Sequence, residues 1–186
     1  MITTCYLTRN ARRLEHDTQA MHRTLAHDMG RVLWAQPQPR TLIVQHDQPV
    51  DWPRVMPGII AHSHTTDTTT PVTGAPVEWA LIANPTKAVM EPGRRRGKRR
   101  ALPPDQWKTW VSRKLDGALN LDTIDAAAMP TAHGRKPTMR TTHARVMYTG
   151  TATVTNQAAL ATLQRDGVGP AKAYGCGLLI IQEAHR

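Results

Sequence analysis

Apolar side chains near the start of the chain recur with the periods of one strand and one helix. Residues 2–7 alternate as a strand does, and residues 18–29 place apolar side chains at helical spacing. Asp17 stands where a helix N-cap is expected, and Gly30 stands where the helix would end. The predicted apolar face of this helix consists of Met21, Leu25 and Met29.

Strand-like segments follow this helix. Residues 31–36 and 41–47 predict two strands joined by a turn at Pro37-Gln38-Pro39. Residues 48–76 contain five prolines, so we expect mostly irregular chain there, with one short helix. Residues 77–89 predict a long strand that closes the small sheet. The order of strand, helix, strand and strand is typical of a ferredoxin-like domain.

The second half again mixes strands with helices. Pro103 and Pro104 open a predicted helix whose apolar residues share one face, and residues 120–140 predict a loop. The remaining predicted elements are a strand over 143–154, a helix over 156–166 and a strand over 178–181. We therefore expect an α+β protein, and its 186 residues allow two domains of about ninety residues each.

The charge balance favours a polyanionic partner. Lys and Arg outnumber Asp and Glu by 24 to 14, which gives a formal net charge of +10. Such an excess attracts nucleic acid and says little about the fold. The two cysteines, Cys5 and Cys176, have no CxxC spacing, and His62 and His64 have no further metal ligand near them in the sequence. We expect a reduced cytoplasmic protein with no membrane segment, no metal and no small-molecule cofactor.

A run of cations extends from residue 94 to residue 100. Six of these seven residues are basic, namely Arg94, Arg95, Arg96, Lys98, Arg99 and Arg100. The run has no apolar side chain to bury, so we expect it to be exposed and to contact the phosphates of an RNA stem. The other basic residues expected to extend this track are Arg113, Lys114, Arg135, Lys136 and Arg140. A merely solubilising surface is the alternative.

The most specific segment is rich in glycine and extends from Gly167 to Leu179. Its glycines, Gly167, Gly169, Gly175 and Gly177, lie between a predicted helix and a predicted strand, together with Lys172. Such a loop can bring backbone N–H groups close to phosphate oxygens. A dinucleotide-binding loop is excluded by context, because there the strand precedes the glycines and the helix follows. A tight turn with glycines for geometry alone stays open.

The form GxGPAKxxGCGLL of this segment resembles the CasE family of type I-E CRISPR precursor-RNA endoribonucleases. Three further pieces resemble the same family in the same order: Met21-His22-Arg23 with Leu25, Ala83-Asn84-Pro85-Thr86-Lys87, and Trp110-Val111-Ser112-Arg113-Lys114-Leu115. The resemblance implies tandem ferredoxin-like (RRM-like) domains, which we place at residues 1–92 and 93–186. It also implies metal-independent cleavage at the 3′ base of a CRISPR repeat hairpin, with the mature crRNA retained in Cascade beside the other subunits.

The resemblance also implies which residues perform the chemistry. Metal-free cleavage uses the ribose 2′-hydroxyl as nucleophile, so the protein must move a proton and neutralise charge. His22 matches the family histidine and is the candidate acid or base. Gln19 stands where family members commonly have a tyrosine, and can form hydrogen bonds but cannot act as a phenol. Arg23 and Lys172, with Lys87 as a third, are the candidate cations near the scissile phosphate.

Two other functions remain open at this point. A non-catalytic RRM-like RNA-binding subunit would use the same sheet and basic run. Gln19, in place of the family tyrosine, favours this alternative. A structural ribonucleoprotein component would account for the charge but would leave the glycine-rich segment unexplained. Replacement of His22 separates the first alternative from the nuclease, since only the nuclease would lose cleavage while keeping its binding.

Overall fold

The computed structural model of the chain describes residues 1–90, 93, 97–136 and 139–184. Its first part contains a four-stranded antiparallel sheet in the order β2-β3-β1-β4. The elements in chain order are β1 (Ile2–Leu7), α1 (Arg12–His16), α2 (Thr18–Met29), β2 (Leu33–Gln38), β3 (Thr41–Gln45), α3 (Trp52–Val55) and β4 (Ile60–Thr66). This strand order with crossover helices is that of a ferredoxin-like domain.

A second antiparallel sheet has the same arrangement, with strand order β11-β5-β10-β8. Its elements and those inserted between them are β5 (Pro76–Ala83), β6 (Thr86–Val89), β7 (Lys98–Ala101), α4 (Trp107–Leu115), β8 (Leu119–Leu121), β9 (Asp125–Lys136), β10 (Met139–Val154), α5 (Gln157–Asp166) and β11 (Leu179–Glu183). The inserted strands β6 and β7 form a separate hairpin, and β9 pairs with β10. The fold is therefore α+β with tandem ferredoxin-like domains, as predicted.

Each sheet packs its helices on one face through its own core. Under the first sheet, Met21 and Leu25 of α2 pack with Trp34, Leu42 and other buried apolar side chains. Under the second sheet, the largest core cluster combines α4, α5 and the inward side chains of β5 and β10. A third cluster joins Leu33 and Ala35 of β2 to Ile82 of β5 and to Cys176 in the glycine-rich segment. The two units are thus held together by apolar contact between the sheets.

Several predicted elements are confirmed. The strand β1 and the helix α2 have the predicted bounds, and α2 is capped by Asp17, whose Oδ1 accepts hydrogen bonds of 3.1 Å from the N–H groups of Gln19 and Ala20. The helix predicted over 156–166 is α5, and Asn156 is its N-cap. These elements follow local signals, namely apolar period and capping residues, which tertiary contacts did not override.

Other predictions were wrong. The strand predicted over 77–89 is two strands, because Asn84 and Pro85 interrupt it and proline has no N–H for a ladder. Its first part, β5, lies in the second sheet and does not close the first. The strand β4, inside the segment predicted to be irregular, closes the first sheet instead. The division of the chain at residue 92 stays a prediction.

The loop predicted over 120–140 was also wrong. Asp125–Lys136 is the strand β9, and it pairs with the first part of β10 from Met139 to Thr149. The segment contains Pro130 and three consecutive alanines, so it lacks the alternation of a strand. The hydrogen bonds of a long hairpin impose the extended conformation that local sequence does not indicate.

Candidate active site

The first turns of α2 lie against the second unit of the fold. Thr18 is 3% exposed, and its Oγ1 donates a hydrogen bond of 2.7 Å to the carbonyl oxygen of His133 on β9. Gln19 and His22 are three residues apart on the same helix, so they share one face. The bond from Thr18 therefore brings the helix turns that carry both candidate residues up to β9.

His22 is half-buried, and its environment sets its protonation. The Nδ1 atom is enclosed by protein and has no hydrogen-bond partner among the residues that the structure describes. Burial lowers the pKa of His22 below its ordinary value, because the charged form is separated from water. The imidazole is therefore neutral near neutral pH and can accept a proton.

Tyr174 lies beside Gln19, and sequence analysis did not select it as a site residue. A Cβ atom added to Gly134 would lie 2.6 Å from Tyr174 Cε1 and 3.2 Å from Gln19 Cβ, so both side chains meet over this glycine. The Tyr174 ring also contacts the His143 ring, with centroids 4.1 Å apart. Tyr174 is inside the glycine-rich segment and could have been considered there. The sequence around His143 did not mark it as a site residue, because its contact with Tyr174 results from the pairing of β9 with β10.

The glycine-rich segment contacts all three apolar clusters: Val168 belongs to the core of the second unit, Gly175 lies against Trp34 of the first, and Cys176 belongs to the third cluster. Gly167, Gly169, Gly175 and Gly177 all have positive φ, at 75°, 76°, 72° and 91°. A Cβ at position 175 would lie 2.8 Å from the Trp34 ring, so only glycine fits there. The N–H of Gly177 donates to the carbonyl of Ile82 at 2.7 Å. These contacts explain why glycine occupies these positions. Contact of the glycines with RNA stays a prediction.

The predicted cations around His22 have different surroundings. The Arg23 side chain is exposed on α2. The Lys172 ammonium donates a hydrogen bond to the carbonyl oxygen of Asp166, the last residue of α5. The amine of Lys172 is thus bonded at a helix C-terminus, where a cation is favoured by the helix dipole. Its predicted contact with a scissile phosphate stays a prediction.

The strands β6 and β7 form a hairpin with cations on both faces, here called the basic hairpin. In its register Lys87 lies opposite Arg100, Val89 opposite Lys98 and Ala88 opposite Arg99. Since directly paired residues share a face, Lys87, Lys98 and Arg100 lie on one face and Arg99 on the other. All are exposed, as predicted for Lys98, Arg99 and Arg100. Arg94, Arg95 and Arg96 lie outside the described residues.

The remaining predicted cations are distributed over other elements. Arg113 and Lys114 are exposed in the last turn of α4, and the Lys114 Nζ lies 6.0 Å from the centroid of the Trp110 ring. Arg135, Lys136 and Arg140 lie where β9 turns into β10, with Arg140 opposite Arg135 in the backbone register. The structure describes only the backbone of these last three residues. Whether this track binds RNA stays a prediction.

The groups considered for other chemistry do not assemble. Across the described part of the chain, no three His, Cys, Asp or Glu side chains are placed to hold a metal ion. Cys5 and Cys176 are both buried, in different apolar clusters, and burial raises the pKa of each thiol to about 12. Within the same residues, no helix is long and apolar enough to cross a membrane.

Comparison with known proteins agrees with this architecture. A family model described as CRISPR associated protein matches residues 3–183. The CRISPR system Cascade subunit CasE of Escherichia coli (strain K12) is 30% identical over 118 residues, which is 57% of this chain and 57% of that protein. The chain is thus aligned with little more than half the length of this curated relative.

Solved structures match over nearly the whole chain. The CRISPR endoribonuclease Cse3 bound to 19 nt RNA is 27% identical with a TM-score of 0.82, covering 97% of this chain and 98% of that one. Thermus thermophilus Cse3, bound to an RNA representing a pre-cleavage complex, is 26% identical with a TM-score of 0.77, covering 97% and 98%. The fold and the site define a tandem ferredoxin-like protein with a glycine-rich segment between its units. The chain belongs to the CRISPR associated protein family, and the resemblance to CasE is confirmed.

Proposed function

We propose that this protein is a metal-independent endoribonuclease that cleaves a CRISPR repeat hairpin in precursor RNA. The observation that carries the proposal is a half-buried, neutral histidine on a helix whose first turn is bonded to the second unit, in a fold shared with the endoribonuclease Cse3. The net charge of +10 supports an RNA ligand. As in the relative named as a Cascade subunit, the cleaved RNA and the other subunits of Cascade are the proposed partners.

The proposed reaction is attack by a ribose 2′-hydroxyl on its own 3′-phosphate. His22 accepts the proton of the 2′-hydroxyl, the new O–P bond closes a 2′,3′-cyclic phosphate, and the P–O bond to the next ribose breaks. The departing 5′-oxygen takes a proton from solvent and leaves as a 5′-hydroxyl, and His22 returns its proton to solvent. Because Nδ1 of His22 is enclosed by protein, Nε2 is the nitrogen that RNA would reach.

Charge and substrate position are proposed to come from the cations. Arg23, one residue from His22, is exposed and can approach the phosphate that becomes more crowded in the transition state. Within its two strands the basic hairpin carries four exposed cations and no aromatic side chain, so it would bind phosphates of the stem and contribute affinity more than sequence selection. Cleavage at the 3′ base of the stem requires both groups to act on one RNA.

A non-catalytic RNA-binding subunit is the second candidate. Two observations favour it: Gln19 offers a carboxamide one helix turn before His22, and among the described residues none bonds to Nδ1 of His22 to fix its tautomer. Such a protein would bind the same hairpin through the same cations and would release no product.

The test uses the substrate to separate these candidates. The purified protein is incubated in EDTA with a labelled repeat hairpin, and with the same hairpin carrying a 2′-deoxy nucleotide at the cut. The nuclease cuts only the first RNA and leaves a cyclic phosphate. Mass spectrometry identifies this product because its mass is lower by one water molecule than that of a linear 3′-phosphate. Tight binding of both RNAs without cutting would establish the non-catalytic subunit. Cutting that stops in EDTA would contradict the metal-independent mechanism.

A further inference from the structure

Two exposed rings are stacked on the first sheet. Tyr6 is 44% exposed. Its ring stacks on the imidazole of His62, with centroids 5.1 Å apart and planes only 7° from parallel. The residues are directly opposite each other on β1 and β4. We call these residues the Tyr6–His62 pair. Such a flat, exposed π-surface resembles those on which nucleobases stack.

The pair lies on the side of the sheet away from His22. Side chains alternate along a strand, and both neighbours of Tyr6, Cys5 and Leu7, are buried in the core that includes Met21 and Leu25 of α2. Tyr6 therefore points to the opposite face from the helix that carries His22. A strand of RNA on this face would contact the protein at a place separate from the bond to be cut.

The charges around the pair suit a polyanion. The strands β1 to β4 contain no Asp or Glu, so the sheet itself places no carboxylate beside the rings. Arg40, in the turn between β2 and β3, is exposed, and its Nε donates a hydrogen bond of 3.0 Å to the carbonyl oxygen of Leu7. Glu15 accepts from the main-chain N–H of Arg40 and so holds this turn. The guanidinium of Arg40 is thus held at the backbone of Leu7, the residue that follows Tyr6.

The corresponding face of the second sheet carries acidic side chains. A shallow cavity on this face is lined by Glu78 and Asp125, together with Trp79, Ile180 and several polar side chains. These carboxylates would repel phosphate, so the first sheet is the better surface for RNA.

We propose that the Tyr6–His62 pair is a stacking site for an unpaired base of single-stranded RNA, with Arg40 binding an adjacent phosphate. This inference rests on the proposed function, because the ligand would be the single-stranded RNA that continues beyond the hairpin. Stacking on a ring tolerates every base, so the site would hold RNA without selecting its sequence. Exposed aromatic rings also occur where proteins bind each other, and the experiment distinguishes that case.

The experiment measures the affinity of the full chain for a fluorescein-labelled oligouridine, which forms no hairpin. Loss of one base–aromatic stack corresponds to between about fivefold and about a hundredfold in Kd, so Tyr6→Leu should weaken binding in this range. Tyr6→Phe keeps the ring and should bind within about twofold of the wild type. His62→Leu, at an exposed position, is the second variant, and ultraviolet crosslinking of the bound RNA should label Tyr6.

The outcomes separate this inference from the proposed function. Tyr6→Leu should leave unchanged the cleavage rate of a hairpin whose only unpaired flank is the single nucleotide 3′ of the cut, since the pair lies on the face of the sheet away from His22. If Tyr6→Leu and His62→Leu both bind oligouridine as the wild type does, the inference is overturned. That result is the one expected if the pair is a contact for another protein. A wild type that binds oligouridine through Tyr6 but never cuts the hairpin would overturn only the nuclease.

Discussion

Thr18 Oγ1 donates a hydrogen bond of 2.7 Å to the carbonyl oxygen of His133. The two residues are 115 positions apart in the sequence, on α2 of the first unit and β9 of the second. Thr18 is one residue before Gln19 and four residues before His22 on α2. The position of the proposed catalytic helix turn therefore depends on a contact between the two units.

Replacement of Thr18 by valine tests this contact. The change keeps the shape of the side chain but removes its hydrogen bond to the His133 carbonyl, which should cost about 0.5–1.5 kcal/mol of unfolding free energy. We also expect slower hairpin cleavage, because the helix turn that carries His22 is less well held. Thr162→Val on α5 is the matched control, since the Thr162 hydroxyl is exposed and bonds only within its own helix. Equal effects of the two substitutions in urea unfolding would contradict the role given to Thr18.

Gly134 provides a second test of the same region. An added methyl group would meet Tyr174 Cε1 at 2.6 Å and Thr141 Oγ1 at 3.0 Å. Gly134→Ala should therefore destabilise the protein by about 1–3 kcal/mol through overpacking. In the double variant Gly134→Ala/Tyr174→Leu the methyl group gains room, so the two effects should not add. Additive changes in the free energy of unfolding would show that Tyr174 is not the obstacle.

The sequence predicted the fold class and the elements with strong local signals. The cap at Asp17 and the apolar period of α2 identified the helix that carries His22, and a resemblance over short motifs identified its family. The contacts of the first turns of α2 with the second unit were not predicted. His133, whose carbonyl accepts from Thr18, and His143, whose ring contacts Tyr174, reach this region through β9 and β10. The pairing of these strands depends on a long hairpin and not on local pattern. Asn84 and Pro85 divide β5 from the basic hairpin, and only the sheet register shows that β5 belongs to the second unit.

We expect the basic hairpin to bind RNA through only one of its two faces. Lys98→Ala removes a cation from the face it shares with Lys87, whereas Arg99→Ala removes one from the other face. If the first face binds phosphates of the stem, Lys98→Ala should reduce the slope of log Kd against log salt concentration by about 0.7 to 0.9. Arg99→Ala should leave this slope unchanged. Fluorescence anisotropy at several salt concentrations measures both, and equal slopes for both variants would contradict binding through one face.

The dependence of cleavage on pH follows from the burial of His22. Burial lowers the pKa of this imidazole, so it stays neutral to more acidic pH than an exposed histidine does. Cleavage that uses neutral His22 as base should be constant around neutral pH. It should fall only as the pH drops below the ordinary histidine value of about 6.5. Single-turnover rates from pH 5 to 8 measure this limb, and a rate that rises on acidification would contradict the role of a base.

The central claim is that His22 moves the proton in a metal-free cleavage. Its most direct test is the single-turnover rate on the repeat hairpin in EDTA, measured for the wild type, His22→Ala and His27→Ala, with Kd determined in parallel. His27 is an exposed histidine on the same helix and serves as the control. We predict that His22→Ala cleaves at least about a hundredfold more slowly with Kd nearly unchanged, while His27→Ala cleaves as the wild type does. Wild-type cleavage by His22→Ala would contradict the claim.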